Sequence, residues 1–268
     1  MNHSYLIRYD HNFEQAYYEH DRVDAQAMER QTFSPHVINI YGFCGRSVIS
    51  EFANGPRLGT LADKAKKRTL KRLEIARDIA MGLSHVHFGR GNGEASFVHL
   101  DVNPANIVVV DKTLKVNDFN IGIMLKRNST SGMQCGFPAQ FPNPQWRSPE
   151  EVNNSPDLNE KVDVFSMGHI FFRMICGHEP WNSLEIGGKP STSSLTEKVK
   201  AGILPRIPDY ILNTSVPEEK VIRDAMLACY TLSPEERPSS RDIAKFLDDE
   251  LFKLSSQENE KLKNERKK

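Results

Sequence analysis

Apolar residues recur at three- and four-residue spacing over residues 69 to 88, where Leu73, Ala76, Ile79, Ala80, Leu83 and Val86 share one face. That period predicts an amphipathic helix with its Lys and Arg side chains outside. Val162 to Cys176 is apolar nearly all round, which predicts a helix at the centre of a core. It contains Asp163, His169 and Arg173 and falls short of the ~20 residues that span a bilayer. Shorter helical periods cover Leu195 to Ala201, Glu218 to Tyr230 and Ser239 to Leu251. Near the start, Phe13, Tyr17, Val23, Ala27 and Met28 can share a helical face between Asn12 and Phe33, and Pro35 ends it. Two β-like runs, Val37 to Tyr41 and Ser47 to Phe52, flank Gly42, Gly45 and Arg46 and read as an antiparallel hairpin. Ile107 to Val110 and Leu114 to Val116 bracket Asp111-Lys112-Thr113 as a second hairpin. Asn117 to Glu150 has no period and reads as a functional loop or a disordered one. Residues 255–268 read as a solvated, fraying charged helix.

Composition narrows the class. The chain has 268 residues, enough for one or two domains. With 38% hydrophobic residues it is neither mainly disordered nor membrane-embedded. Lys plus Arg and Asp plus Glu number 35 each, so there is no electrostatic footprint for general nucleic-acid binding. The cysteines Cys44, Cys135, Cys176 and Cys229 are scattered, form no C-x-x-C pair and fit a reducing compartment. The first thirty residues hold no apolar signal-peptide core. Together these give the expectation of a cytoplasmic or nucleocytoplasmic protein with neither nucleic-acid nor membrane partners.

One cluster carries chemistry: His99-Leu-Asp101-Val-Asn103-Pro-Ala-Asn106, then strand, turn, strand, and Asp118-Phe119-Asn120. A carboxylate in a tight loop, an amide five residues on and a second carboxylate twelve further on converge when the hairpin between them folds back. Phosphoryl transfer asks for such a set: one carboxylate orients the acceptor hydroxyl, while an amide and a second carboxylate hold Mg²⁺ against nucleotide phosphates. Asp101 and Asn106 fit a bracing role in the loop equally well.

On these residues the chain resembles the eukaryotic protein kinase family, whose signatures are H-R-D-x-x-x-x-N and D-F-G. Trp146-Arg-Ser-Pro149-Glu150 is similar to the A-P-E end of an activation segment. Asp163-Val-Phe-Ser-Met-Gly168 is similar to the start of the family's buried central helix. Pro234-Glu-Glu-Arg237-Pro238 carries the late arginine that pairs with the A-P-E glutamate, here Glu150. Ser50-Glu-Phe-Ala53 resembles the hinge between lobes, and Ile75 to Leu83 the helix before the catalytic loop. Small-molecule kinases of the aminoglycoside and choline type also place Asp and Asn five apart but lack these further landmarks.

The resemblance implies an α+β, bilobal kinase-like fold. Its parts are a reduced N-lobe over residues 1–53 with an αC-like helix and a hairpin, a helical C-lobe over 54–252, and a charged tail over 253–268. It implies ATP and Mg²⁺ as cofactors and a protein as substrate or partner. Asp101 is the catalytic base, Asn106 and Asp118 are the metal ligands, and Glu51, Ala53, Asn106, Val108 and Asp118 hold the nucleotide. His99 is structural, under Phe119 and Asp163.

The chain also departs from the family. Its first glycine is Gly42 and its first lysine Lys64, so neither the phosphate-covering Gly-rich loop nor the strand lysine is expected. Tyr5-Leu-Ile-Arg8 stands where the lysine strand would, with Arg8 as the nearby cation. Asp24 or Glu19 falls where the lysine's helix partner would. Leu100 replaces the arginine that reads activation-loop phosphorylation, Asn103 a lysine near the transferred phosphate, and Asn120 the D-F-G glycine, where Asn tolerates left-handed backbone. Two readings follow: a kinase of weak or absent activity, or a pseudokinase acting as a binding and scaffold module through its C-lobe.

Overall fold

The computed structural model describes residues 5–7, 15–32, 34–44, 47–89, 93–140, 143–182, 188 and 190–265, with the backbone alone at 5–7, 15–21 and 262. Strand β1 (Tyr5–Ile7) is followed by helix α1 (Gln15–Arg30), β2 (Ile40–Cys44) and β3 (Ser47–Glu51). These strands form an antiparallel sheet in the order β1-β3-β2, with Ile7 opposite Ile49 and Cys44 opposite Ser47. Arg8 lies outside the described residues.

The first hairpin is displaced from its expected place. Val37 and Ile38 do not enter it, and Gly42 and Phe43 do. Val37 and Ile38 are fully buried, and their backbone reaches into the other lobe. Ile38 N–H donates to Val116 O at 3.0 Å, and Val116 N–H donates to His36 O at 2.8 Å. A buried apolar pair at a lobe junction takes its hydrogen bonds from whichever strand covers it. The edge strand is left with Phe43 and Tyr41, both about half exposed.

The second hairpin, β5 (Ile107–Val110) and β6 (Thr113–Val116), is tighter than expected, because Thr113 already pairs with Val110. Asp111 and Lys112 alone make the turn at φ 47° and 72°, as a two-residue hairpin of the favoured twist requires. Asn54 locks it: its amide donates to Asp111 Oδ1 at 2.8 Å and its carbonyl oxygen accepts Asp111 N–H at 3.0 Å.

The helical lobe consists of α2 (Leu58–Lys64), α3 (Thr69–Phe88), α4 (Pro149–Val152), α5 (Lys161–Cys176), α6 (Thr192–Lys200), α7 (Asp209–Leu212), α8 (Pro217–Cys229) and α9 (Ser240–Glu265). Helix α5 is buried at fourteen of its sixteen positions, as its all-round apolar sequence predicts. It packs on α8, and α3 packs along α9. Helix α9 runs fourteen residues past Leu251, where the apolar period predicted its end, so most of the charged tail is helix, as a fraying helix was expected to be. Residues 117–140 and 143–150 are ordered despite their lack of period. Strand β7 (Ile123–Met124) pairs with β4 (Phe97–Val98), and Phe137 and Leu158 exchange both backbone hydrogen bonds. The four cysteines are free thiols. No described helix is long and apolar enough to cross a membrane.

The lobes meet where α3 presents Gly82. A Cβ there would lie 2.8 Å from a Val116 methyl and 2.9 Å from His36 O, the carbonyl that accepts the Val116 N–H. A Gly to Ala change in an open helix stabilises by about 1 kcal/mol. Gly82→Ala is expected to act in reverse, destabilising by about 1–3 kcal/mol through overpacking, read as a lower urea midpoint. An unchanged or raised midpoint would mean that the junction yields.

Candidate functional site

The loop from His99 to Asn106 links β4 to β5. Asn103 shapes its centre: its side-chain oxygen accepts Ala105 N–H at 2.8 Å, capping the single 3-10 turn Pro104–Asn106, and its amide donates to Asp101 O at 3.1 Å. That side chain is therefore committed to the turn. Asn106 Nδ2 donates to both Asp101 O and Asp101 Oδ2 at 2.8 Å. Asn106 O accepts Asn117 N–H at 2.9 Å, which brings Asp118 alongside. The hairpin thus sets Asn106 against Asp101 and places Asp118 one residue beyond the Asn117–Asn106 backbone contact.

Asp118 has φ 68°, a left-handed conformation that costs an L residue about 1–2 kcal/mol. Its Oδ1 is shielded from solvent and has no hydrogen-bond partner. The left-handed residue of this segment is therefore Asp118, and Asn120 keeps negative φ, so replacing a glycine at 120 carries no backbone strain. The ring of Phe119 is fully buried, 5.0 Å from that of His99 and 6.0 Å from that of Phe97. Phe119 N–H donates to Asp24 Oδ1 at 2.7 Å. Asp24, on α1, thus holds the backbone beside Asp118. The side chain of Glu19 lies outside the described residues.

His99 is fully buried. Its N–H donates to Asp163 Oδ2 at 2.6 Å, its Nδ1 accepts Asp101 N–H at 3.2 Å, and its Nε2 meets Asn117 O at 3.1 Å, which is the structural role expected of it. Burial would raise the Asp163 carboxyl, but the hydrogen bond and charge of His87, with His99, hold it below the usual carboxylate range. Arg237 is fully buried and grips Glu150 through two nitrogens at 2.6 and 3.2 Å, as the resemblance implies. Glu151 caps α4 with Ser148 and meets Arg147 Nη1 at 3.3 Å. Burial pushes its carboxyl up to about 7 against the pull of Arg147 and the Ser148 hydrogen bonds.

At the hinge, Ala53 and Val108 line one cavity of about 820 Å³, together with Leu58, Ile107 and Arg173. Glu51 is not part of it. Its carboxylate is occupied by Lys115 Nζ at 2.7 and 3.1 Å and by the backbone and side-chain nitrogens of Asn39, both at 2.9 Å. The Glu51 backbone N–H donates to Asn39 O at 3.0 Å, so the carbonyl oxygen, which also accepts Ser50 Oγ at 3.4 Å, is the group left to meet a ligand. The Lys115 pair was not read from sequence, although a lone lysine between Leu114 and Val116 in a strand buried on both sides was a signal for a partnered cation. Asp101, Asn106 and Asp118 do not line this cavity.

Among the described residues, no group of three or more His, Cys, Asp or Glu side chains is arranged to hold a metal. One carboxylate with a shielded, unpartnered oxygen and one neighbouring amide instead fit Mg²⁺, a hard cation that is held by few protein ligands and brings water and phosphate oxygens with it.

A family model described as "Protein kinase domain" matches residues 8–249, so the chain belongs to the protein kinase domain family. It has the family's α+β arrangement, a small sheet-containing lobe on a helical one. It is 25% identical over 222 residues to a putative serine/threonine-protein kinase/receptor of Acanthamoeba polyphaga mimivirus, covering 81% of this chain and 12% of that one. Similarity of 27% over 219 residues links it to a dual specificity protein kinase of Dictyostelium discoideum (78% and 14%), and of 27% over 206 residues to a serine/threonine-protein kinase of Arabidopsis thaliana (75% and 22%). The chain therefore spans less than a quarter of the length of each.

Removing one member of a buried ion pair costs about 3–5 kcal/mol, chiefly by stranding the other. Lys115→Met is expected to lose that much in urea unfolding, and the double variant with Glu51→Gln to recover most of it. Equal loss in both would assign the effect to packing. Glu151 makes a separate, pH-dependent prediction. Its folded pKa lies above the ordinary 4.5, so the native chain binds the extra proton, and stability from this group falls as pH rises from 4.5 through 7, by roughly 3 kcal/mol in full. His169, pushed down to about 3 by burial, acts in the opposite sense between pH 3 and 6.5, so a difference measurement is needed. Because Glu151→Gln also leaves Arg147 without its counter-charge, the expected readout is the change with pH: the variant gains on the unmutated chain between pH 5 and pH 8. The same difference at both values would exclude the shift.

Proposed function

We propose that this domain binds ATP with Mg²⁺ and slowly transfers the terminal phosphoryl group to a protein hydroxyl. The reading rests on Asp118 Oδ1, a shielded carboxylate oxygen left without a partner beside Asn106 and held there by a strained backbone. Leaving such a group unmade costs about 1–3 kcal/mol, and a bound cation satisfies it. Asn106 and Asp118 would be the metal ligands, and Ala53, Val108 and the Glu51 carbonyl oxygen the adenine-side contacts. The metal, when bound, supplies neutralisation of phosphate charge. Asp101 Oδ2 is engaged by Asn106, leaving Oδ1 to orient the acceptor hydroxyl and take its proton as the new phosphorus–oxygen bond forms and the bond to ADP breaks. The serine/threonine and dual specificity names of the similar proteins support a hydroxyl acceptor.

Slowness follows from the cations. Asn103 stands where a lysine is usual and is committed to its turn, and Lys115 is committed to Glu51. Each missing transition-state donor is worth about 10²–10³ in rate. That shortage also favours a second reading, a module that binds nucleotide or a protein partner without transfer.

Thermal unfolding with and without ATP and Mg²⁺, on the unmutated chain and on Asp118→Ala, separates these. Metal-dependent stabilisation of several degrees that Asp118→Ala abolishes is expected. No stabilisation of the unmutated chain would end the nucleotide reading. Transfer of labelled phosphate to a general protein substrate, lost in Asp101→Asn with ATP stabilisation kept, would establish the enzyme. Stabilisation without transfer would leave the binding module.

A further inference from the structure

Leu100 precedes the catalytic-base candidate and holds φ 62° while its side chain is buried among apolar neighbours. A branched residue stays in the left-handed region only where its surroundings over-determine it. Here both peptide groups around it are gripped. Leu100 N–H donates to Asp163 Oδ1 at 2.9 Å. The next peptide is held at both ends: Asp101 N–H on His99 Nδ1, and Leu100 C=O on Arg147 Nη1. That second peptide plane sets the direction in which the Asp101 side chain leaves the backbone.

Arg147 comes from the far end of the activation segment, and it too is fixed. Its Nη1 meets Glu151 Oε1 at 3.3 Å, and Glu151 Oε2 is held by Ser148 N–H and Oγ at 2.9 and 3.0 Å. One residue earlier, Trp146 O accepts Ser166 Oγ from α5 at 2.5 Å. Arg147, Ser148 and Glu151 are all buried. A guanidinium is suited to this place because its several donors diverge rigidly and it cannot be deprotonated.

We propose that Arg147 is a positioning residue for Asp101: it pins the Leu100 carbonyl, keeps the strained Leu100–Asp101 peptide from flipping, and so links the activation segment to the catalytic loop without a phosphate. The cation that would read a phosphate is missing at position 100, and one from position 147 holds the same loop by its backbone. In this arrangement the exposed hydroxyls of Ser129, Thr130 and Ser131 need no modification for the loop to be set. The functional half of this inference rests on the kinase reading above; the positioning half does not.

The test is site-resolved amide exchange on the full chain, with steady-state phosphoryl transfer beside it. In Arg147→Met, protection at Leu100 and Asp101 is expected to fall by about tenfold or more, with the α3 and α5 amides unchanged, as for a local opening. The turnover number should fall on the order of 10²-fold with KM for ATP unchanged, as for a misplaced group. Adding Leu100→Gly, which removes the cost of positive φ, should restore most of the turnover. Arg147→Lys should lie between the unmutated chain and Arg147→Met, and it carries the exchange test if Arg147→Met does not fold. Unchanged protection at Leu100 and Asp101 in a folded variant, or protection lost equally in α5, would overturn positioning. A turnover defect that Leu100→Gly does not relieve would overturn the strain account. If the unmutated chain transfers no phosphate, the kinase reading fails, and the exchange result still decides the positioning of the loop.

Discussion

The carboxylate of Asp163 fixes the geometry on which the rest of the site depends. It is fully buried in α5, and its two oxygens take the backbone N–H groups of His99 and Leu100 and the ring of His87. Through His87 Nδ1 the contact extends to Ser240 Oγ at the start of α9, at 2.9 Å. One charged group therefore joins three helices to the catalytic loop. A buried carboxylate is costly unless its lone pairs are filled by donors, and here the filling donors are the groups that need placing. The hydrogen bonds that make the charge tolerable also hold the loop in place.

Around that anchor the backbone carries strain at two chosen points. Leu100 and Asp118 both adopt positive φ, and each is flanked by a buried aromatic or imidazole ring and a charged acceptor on a helix. For Leu100 these are His99 and Asp163; for Asp118 they are Phe119 and, on α1, Asp24. The contact between Asp24 and the Phe119 N–H ties the small lobe to the backbone next to Asp118. If α1 moves, the backbone holding Asp118 loses its acceptor, so the orientation of the shielded Oδ1 is coupled to where the small lobe sits.

The helical lobe was legible because its periods are long and its landmarks are polar residues in apolar settings. Asp163 within an apolar helix and Arg237 between two prolines have no bland surface reading, and both proved to be buried and paired. The first hairpin was less legible, since Val37 and Ile38 have the side chains of a strand but pair across the lobe junction, and a tertiary partner outweighs local alternation. The segment after Asn117 hides its order because two-residue bridges such as Phe137 with Leu158 have no period to detect. In the candidate site, the nearness of Asp101 and Asn106 followed from their spacing across a tight loop. The roles of Lys115 and Arg147 depend on contacts 47 to 78 residues away, beyond the reach of any local pattern. Glu51 was assigned to the nucleotide through its place in the hinge; the pairing of its carboxylate with Lys115 and Asn39 has no signal in local alternation.

The balanced composition conceals how the charges are distributed. Lys115, Arg147, Arg72 and Arg237 are all buried, and each is paired with a glutamate: Glu51, Glu151, Glu219 and Glu150. These cations are spent on joining elements: the hinge to a hairpin, the activation segment to the catalytic loop, α3 to α8, and α4 to the loop before α9. Asp101 and Asp118 stand with neutral asparagines between them, while Arg57 and Arg173 line the neighbouring hinge cavity. A polyphosphate would therefore meet like charge unless divalent cations arrive with it. On the proposed reading, affinity for ATP should track Mg²⁺, because the metal would supply the positive charge that Asp101 and Asp118 lack around them.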